Sequence, residues 1–180
     1  MKNSKEKKTY HIESIFTHAN HKCVVTLSYM GFRCGYVGVD KSSPLFEIDY
    51  QTDLKKPELL KELKQTTFGK RGVIPFFCWD DKTVSPEILF NVHGGITYSD
   101  KGIYPITTKE QIWWFGFDCG HCDDAKDWKS VEAVFPESLY KTCKQFDDRF
   151  SFSGEIRSHN YVRQECKNLA EQISCVESTY

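Results

Sequence analysis

The sequence predicts an α+β fold: one domain in which a mainly antiparallel or mixed β-sheet carries a long C-terminal helix packed on it. Short apolar runs between turn residues recur from residue 10 to residue 117, as β-strands do. A strongly amphipathic helical segment follows from Tyr161 onward. The length of 180 residues suits one hydrophobic core, which we place at residues 10–180.

The predicted strands are apolar runs rich in β-branched and aromatic residues, each bounded by polar or glycine-containing turns. The last run is apolar at nearly every position, which indicates a strand buried on both faces. In chain order the predicted strands are Tyr10–Phe16, Cys23–Tyr29, Cys34–Val39, Val73–Trp79, Ile88–Val92 and Ile112–Phe117.

Helical spacing of apolar residues predicts three helices. Leu54–Gln65 has a narrow leucine stripe, and Asp123–Val134 forms a short helix that ends before Pro136. Asp147–Arg157 has the composition of a turn-rich stretch. In the C-terminal helix, Ser158 or Asn160 can cap the start, and one face carries Val162, Cys166, Leu169, Ile173 and Val176.

Composition limits the classes of partner. The formal charge of −1 and the pI near 6.6 argue against a nucleic-acid or membrane-surface binder. Four lysines lie within residues 1–9, which we interpret as a flexible basic terminus. No apolar run approaches the roughly 18 residues of a membrane span, and we see no signal-peptide core. We therefore expect a cytoplasmic protein whose eight cysteines are reduced thiols.

Two segments point to a small-molecule site. Val92–Ser99 reads V-H-G-G-I-T-Y-S, and Trp113–Asp124 reads W-W-F-G-F-D-C-G-H-C-D-D. Each begins as an apolar run and ends in a cluster of Gly, His, Asp or Thr. Buried strands that deliver polar groups and bare backbone to one place commonly form ligand sites.

A nucleotide-like ligand held without chemistry is the first interpretation of these segments. Gly94 and Gly95 can expose backbone N–H groups to phosphate oxygens, and Asp118 suits the two hydroxyls of a ribose. Aromatic rings can stack on a base. The predicted ligand-binding residues are Tyr36, His93, Gly94, Gly95, Thr97, Tyr98, Trp114, Asp118 and His121. We expect no cofactor, and self-association stays open.

Cys119-Gly120-His121-Cys122 is a C-x-x-C motif of the kind used by thiol–disulfide oxidoreductases. That chemistry requires an exposed cysteine at a helix N-terminus, where its pKa is lowered. The flanking Asp118, Asp123 and Asp124 would instead raise a thiol pKa. We therefore disfavour a redox function.

A catalytic metal is the other chemical alternative. His93, Asp118, His121 and Asp123 are suitable ligand types, and an open coordination position could activate a water molecule. This alternative predicts a metal-dependent, phosphodiesterase-like hydrolase. A structural zinc site would ordinarily need a second paired Cys or His unit, which we do not find.

Four segments resemble a family of small, largely uncharacterised bacteriophage and prophage proteins. They are C-G-Y-V-G-V at Cys34–Val39 with Pro44-Leu45, then Val92–Ser99, then Trp113–Asp123, and the helix that begins Tyr161-Val162 and continues through Leu169-Ala170-Glu171-Gln172. Members of that family commonly lack a cysteine at the position of Cys122. The resemblance therefore weakens the redox interpretation further, and it implies no established activity.

A phage setting implies a class of function by analogy alone. Small phage proteins with a polar and aromatic pocket resemble the sponges that sequester nucleotide immune signals. We therefore expect a phage-encoded anti-defence protein, acting in the host cytoplasm, that binds a host nucleotide signal. An ADP-ribose-type molecule of the TIR-based Thoeris defence is the first choice. The metal-dependent hydrolase is the alternative, and a virion or DNA-packaging role comes third.

Overall fold

The computed structural model describes residues 9–54, 83–103, 111–150 and 154–178. They form an α+β domain in which a five-stranded antiparallel sheet carries a long C-terminal helix, as the sequence predicts. Three predictions lie wholly or mostly outside these residues: the basic terminus, the helix at Leu54–Gln65 and the strand at Val73–Trp79. No helix in the described ranges is both long enough and apolar enough to cross a bilayer.

The sheet has the order β1-β2-β3-β5-β4, and every neighbouring pair of strands is antiparallel. Ala19 and Asn20 join the first two strands with φ of +46° and +64°, the backbone that a tight hairpin turn requires. The strands are β1 Tyr10–His18, β2 His21–Ser28, β3 Arg33–Val39, β4 Tyr98–Asp100 and β5 Trp113–Asp118. Four of them confirm predicted strands.

Four helices and one short parallel ladder complete the described chain. The helices are α1 Pro86–Leu89, α2 Trp128–Val134, α3 Glu137–Phe150 and α4 His159–Ser178, and the ladder pairs β6 Asp124–Ala125 with β7 Glu155–Ile156. The predicted cap of α4 is confirmed, because the Tyr161 amide donates to Ser158 Oγ over 3.2 Å.

Three local predictions are wrong. Ile88–Val92 is not a strand, because Ser85 and Pro86 start the short helix α1 there. The helix predicted at Asp123–Val134 begins only at Trp128, where Asp127 caps it, since Asp124 belongs to β6. In the stretch Asp147–Arg157, residues 147–150 belong to α3 and residues 155–156 to β7. Sequence reasoning missed α3, of which no residue is buried.

The core lies between α4 and one face of the sheet. The predicted apolar stripe of α4 is buried there, with Val162, Cys166, Leu169 and Ile173 all at 0% exposure. The opposite face of the sheet carries a separate cluster that includes Tyr36 and Trp114. Alternation of side chains along β3 and β5 separates the two clusters.

Gly35 lets α4 approach β3 closely. A Cβ at this position would lie 2.4 Å from the Phe117 ring and 2.7 Å from Cys166 Sγ. Neither neighbour can withdraw easily, because Phe117 is 1% exposed and Cys166 is 0% exposed. The glycine of the C-G-Y-V-G-V segment is therefore explained by helix–sheet packing.

We predict that Gly35→Ala lowers the free energy of unfolding by about 1–3 kcal/mol, the usual cost of overpacking a close-packed core. Urea unfolding followed by circular dichroism measures it. Gly102→Ala is the matched control, because a Cβ there meets nothing within 4 Å. Equal stability of the two variants would contradict the packing role of Gly35.

Candidate functional site

The side chain of Asp124 is buried, with 1% of its surface exposed, and binds three segments of the chain. Its Oδ2 accepts from His93 Nε2 over 2.9 Å and from the His121 amide over 3.0 Å. Its Oδ1 accepts from Arg157 Nε over 2.8 Å. We call Asp124, His93, Arg157 and Tyr161 the Asp124 clasp.

His93 has both ring nitrogens engaged within this clasp. Nε2 donates to Asp124, and Nδ1 lies 3.1 Å from the Tyr161 hydroxyl. The ring of Tyr161 stands edge-on to His93 at a centroid distance of 5.6 Å, and the Arg157 guanidinium lies 5.1 Å from the centroid of the Tyr161 ring. Because both ring nitrogens of His93 already have protein partners, this side chain holds neighbouring groups in position.

Helix α4 holds the segment that leads into His93. Glu165 accepts from the His93 amide over 2.9 Å. Seven residues, or two helical turns, further on, Gln172 accepts from the Asn91 amide over 2.8 Å and donates to the Asn91 carbonyl over 3.0 Å. Glu165 and Gln172 of α4 therefore bind the backbone of residues 91–93.

Asp118 lies at the end of β5, on the accessible side of the clasp, with 32% of its side chain exposed. Its two oxygens accept from Thr97 Oγ1 and from the Gly120 amide, each over 3.0 Å. His121 is 39% exposed, and its Nε2 lies 4.0 Å from Asp118 Oδ1. A carboxylate has about four lone-pair positions, so Asp118 keeps acceptor capacity for a ligand.

Gly94 and Gly95 form a turn beside these groups, with φ of +67° and +84°. The His121 imidazole packs directly on Gly94, since a Cβ there would lie 1.8 Å from His121 Nε2. Open space surrounds the position of a Cβ at Gly95. The prediction that the backbone amides of this turn bind a phosphate loses support, because the Gly95 amide already donates to the Val92 carbonyl over 3.1 Å.

The structure thus brings six of the nine predicted binding residues to one end of β5, and leaves three aromatic residues elsewhere. Trp114 is 0% exposed and Tyr36 is 8% exposed. Tyr36 stacks edge-on against Tyr98 at 5.6 Å, and the Tyr98 hydroxyl donates to the Gly102 carbonyl. Trp114 and Tyr36 are too buried to stack on a base as predicted, and the Tyr98 hydroxyl, which was expected to donate to a ligand, donates within the protein instead.

Sequence reasoning missed Phe32, which lies beside Asp118 at Gly120, and Lys126, which lies over the Phe32 ring. The Phe32 ring and the Asp118 carboxylate both lie against Gly120, 3.3 Å and 3.0 Å from the position of a Cβ there. Lys126 Nζ lies 5.0 Å from the centroid of the Phe32 ring. We define the β5-end surface as Phe32, Gly95, Thr97, Asp118, His121 and Lys126. It offers a carboxylate, a hydroxyl, an imidazole, an aromatic ring and an ammonium group.

The four alternative metal ligands do not share one point in space. Within the described ranges, no three His, Cys, Asp or Glu side chains are placed so that they could hold a metal ion. His93 binds Asp124, whereas Asp118 binds Thr97 and Gly120. Asp123 is exposed, and it is the neighbouring Asp124 that turns into the protein.

The C-x-x-C motif lacks the geometry that redox chemistry needs. Cys119 is 2% exposed and follows β5 directly, while the next helix begins only at Trp128. Burial, and then the nearby Asp124 carboxylate, raise the pKa of the Cys119 thiol far above its ordinary value. Cys122 is exposed. The two thiols therefore sit in opposite environments.

We predict that Asp124→Asn destabilises the fold by about 3 kcal/mol near neutral pH, because the amide NH₂ must face one of three donors and the Arg157 charge keeps only its exposed partner Glu155. Burial opposes ionisation of Asp124, but hydrogen bonds from Arg157, His93 and the His121 amide outweigh it and lower its pKa. A lowered pKa stabilises the fold above the unfolded value near 3.9.

The stability difference between wild type and Asp124→Asn should therefore be complete at pH 6–7 and shrink as the pH falls below about 4. Urea unfolding at a series of pH values measures it. Asp123→Asn is the control, since Asp123 is exposed. A difference independent of pH would show that the charge of Asp124 contributes nothing.

We predict that iodoacetamide alkylates Cys122 in the native protein and Cys119 only after unfolding, because the thiolate is the reactive form and Cys119 is buried. Peptide mass spectrometry after timed labelling distinguishes the two positions. Equal native labelling rates at Cys119 and Cys122 would contradict the structure.

Comparison of the chain with protein-family models, with curated proteins and with solved structures found no match, so the site is interpreted from its own geometry.

Proposed function

We propose that this protein captures a nucleotide-type small molecule at the β5-end surface and holds it without turnover. The observation that carries the proposal is the placement of Asp118, Thr97 and His121 together and partly exposed beside the Gly94–Gly95 turn. A ribose offers two hydroxyl donors to Asp118. The imidazole of His121 and the ammonium of Lys126 can each bind a phosphate oxygen.

Rigidity beneath the surface supports binding. The Asp124 clasp fixes both the residue before the glycine turn and the His121 backbone. Ile96, which is 1% exposed, anchors the far side of the turn in the core. A preorganised surface loses little entropy when it binds a ligand, which raises affinity for a given set of contacts.

The engagement of His93 favours capture over hydrolysis. A general base must have a ring nitrogen within reach of the attacking water. Both nitrogens of His93 are instead bonded to Asp124 and Tyr161. His121 has the more accessible ring, but its Nε2 lies 4.0 Å from Asp118 Oδ1, beyond hydrogen-bond distance of a carboxylate that could orient it as a base.

The biological role we propose is that of a phage-encoded anti-defence protein that withholds a host immune nucleotide from its effector in the host cytoplasm. The resemblance of four segments to phage and prophage proteins supports this role. The first candidate ligand is an ADP-ribose-type molecule of the Thoeris defence. Its two ribose diols and its diphosphate match the carboxylate and the cationic groups of the β5-end surface.

We predict that the wild-type protein depletes ADP-ribose or cyclic ADP-ribose from solution and returns it at its original mass after heating, because binding is linked to the native state. Ultrafiltration followed by mass spectrometry of the filtrate and of the heated retentate measures both steps. Asp118→Asn should weaken capture about tenfold to a hundredfold, the cost of losing one charged hydrogen bond.

Asp123→Asn removes a neighbouring exposed carboxylate and should leave capture unchanged. The same measurement on extracts of cells with an active TIR synthase extends the test beyond the two pure probes. Depletion of neither the pure probes nor any extract nucleotide would overturn the proposal. The hydrolase would be established instead if a cleaved nucleotide accumulated beyond one equivalent per protein and if both Asp118→Asn and Asp123→Asn lost that cleavage.

A further inference from the structure

A buried histidine, His21, connects the end of α4 to the sheet. Its side chain is 9% exposed. Its Nδ1 lies 3.3 Å from the Gly38 carbonyl oxygen, and its Nε2 lies 3.0 Å from Ser174 Oγ. One imidazole at the start of β2 therefore contacts both β3 and the last turns of α4.

Both ring nitrogens of His21 face hydrogen-bond acceptors. A carbonyl oxygen can only accept, so Nδ1 must donate to Gly38. Ser174 Oγ has one proton, which it donates to the Ala19 carbonyl oxygen over 3.0 Å, so it accepts from His21 Nε2. A neutral imidazole carries one N–H group and an imidazolium carries two. Only the imidazolium form of His21 satisfies both partners.

Negative charge surrounds the same ring. Glu177 Oε2 lies 3.4 Å from His21 Nε2. Hydrogen bonds from Ser42, with a smaller contribution from the His21 charge, hold the pKa of Asp40 below its ordinary value. The carbonyl end of a helix also favours a cation, and α4 ends at Ser178, one residue after Glu177. All three features favour a charged His21.

Burial and nearby cations oppose that charge. His18 is the partner of His21 across the β1–β2 hairpin, but Glu171 Oε1 lies 2.7 Å from His18 Nε2 and offsets its charge. The other titratable groups close to His21 are Lys22, Lys41 and the Cys23 thiol, whose pKa burial raises to about 12. The thiol therefore stays neutral near physiological pH, and the direct contacts of the His21 ring are all with acceptors.

We propose that His21 is a pH-sensitive switch whose imidazolium docks the last turns of α4 on the β1–β2 hairpin and whose deprotonation loosens them. Histidine is the side chain whose charge ordinarily changes between about pH 5 and 8. After loss of the proton, one ring nitrogen faces an acceptor without a hydrogen, and Glu177 loses its opposite charge. Docking is therefore strongest at acidic pH and weakens as the pH rises through neutrality.

The switch acts locally and independently of the proposed function. Val176, at 5% exposure, still anchors the last turn in the core, so that turn loosens without leaving the sheet. His21 and Glu177 both line a cleft of about 960 Å³, which gains access as the turn loosens. The β5-end surface lies elsewhere, because Gly38 pairs with Trp114 of β5, at the other end of that strand.

The test is ¹⁵N NMR of the full-length protein between pH 5.5 and 8.5, with amide protection factors corrected for the intrinsic effect of pH on exchange. We expect both His21 ring nitrogens to carry a proton at pH 5.5. Protection of residues 174–178 should fall about tenfold as the pH rises, the effect of losing about one hydrogen bond. Protection of residues 162–166, at the other end of α4, should stay constant.

His21→Gln should abolish this pH dependence. His18→Gln is the matched control and should retain it, because the His18 and Glu171 side chains are 32% and 63% exposed and their pair contributes little. Three results would overturn the proposal: a single ring N–H on His21 at pH 5.5, protection of residues 174–178 that does not change with pH, or a pH dependence that persists in His21→Gln or disappears in His18→Gln. The first two need no variant, so they decide the question even if a variant fails to fold.

Discussion

The ionised side chain of Asp124 is the interaction on which the arrangement of the site depends. A buried carboxylate costs several kcal/mol of hydration, which the fold recovers only when the lone pairs are satisfied. Asp124 receives donors from three separate segments, at His93, His121 and Arg157. Because no two of these segments are adjacent in sequence, the carboxylate fixes their relative positions. This arrangement also fixes the positions of the exposed groups at the end of β5.

A second buried charge, the guanidinium of Arg33, lies on the other side of Arg157 from the Asp124 carboxylate. The Arg33 side chain is 5% exposed, binds Glu13 through two nitrogens, and donates to Asp127 Oδ2 over 2.9 Å. Its Nη1 also donates to the Arg157 carbonyl over 3.1 Å. Arg157 is thus bound to Asp124 through its side chain and to Arg33 through its backbone. The β-bulge between Ile12 and Ser14 places Glu13 within this network. The two charge centres therefore position the start of α4 together.

Regular periodicity made the sheet and the C-terminal helix predictable, because each buries a continuous apolar stripe. The polar network was not predictable to the same extent. In the H-C-D-D sequence, Asp123 and Asp124 are equivalent as residue types, and only the three-dimensional path of the turn shows that Asp124 is the buried one. Helix α3 is amphipathic, but its sequence is polar on average and it buries no residue. Its few apolar residues therefore did not stand out as a core-facing stripe. The rings of Trp114 and Tyr36 were expected in a pocket, but strand alternation directs both into a core cluster.

The glycines illustrate how a binding motif and a packing motif can have the same sequence. Gly94 has the positive φ of a phosphate-binding turn, yet the space that its missing side chain leaves is filled by the His121 imidazole. Gly116 likewise accommodates the Tyr36 ring, 2.6 Å from the position of its Cβ. Close packing therefore accounts for these two glycines without any ligand. What remains for ligand chemistry is the exposed acceptor capacity of Asp118 and the imidazole of His121. The ligand recognition that we propose at this end of β5 therefore depends on side chains more than on backbone amides.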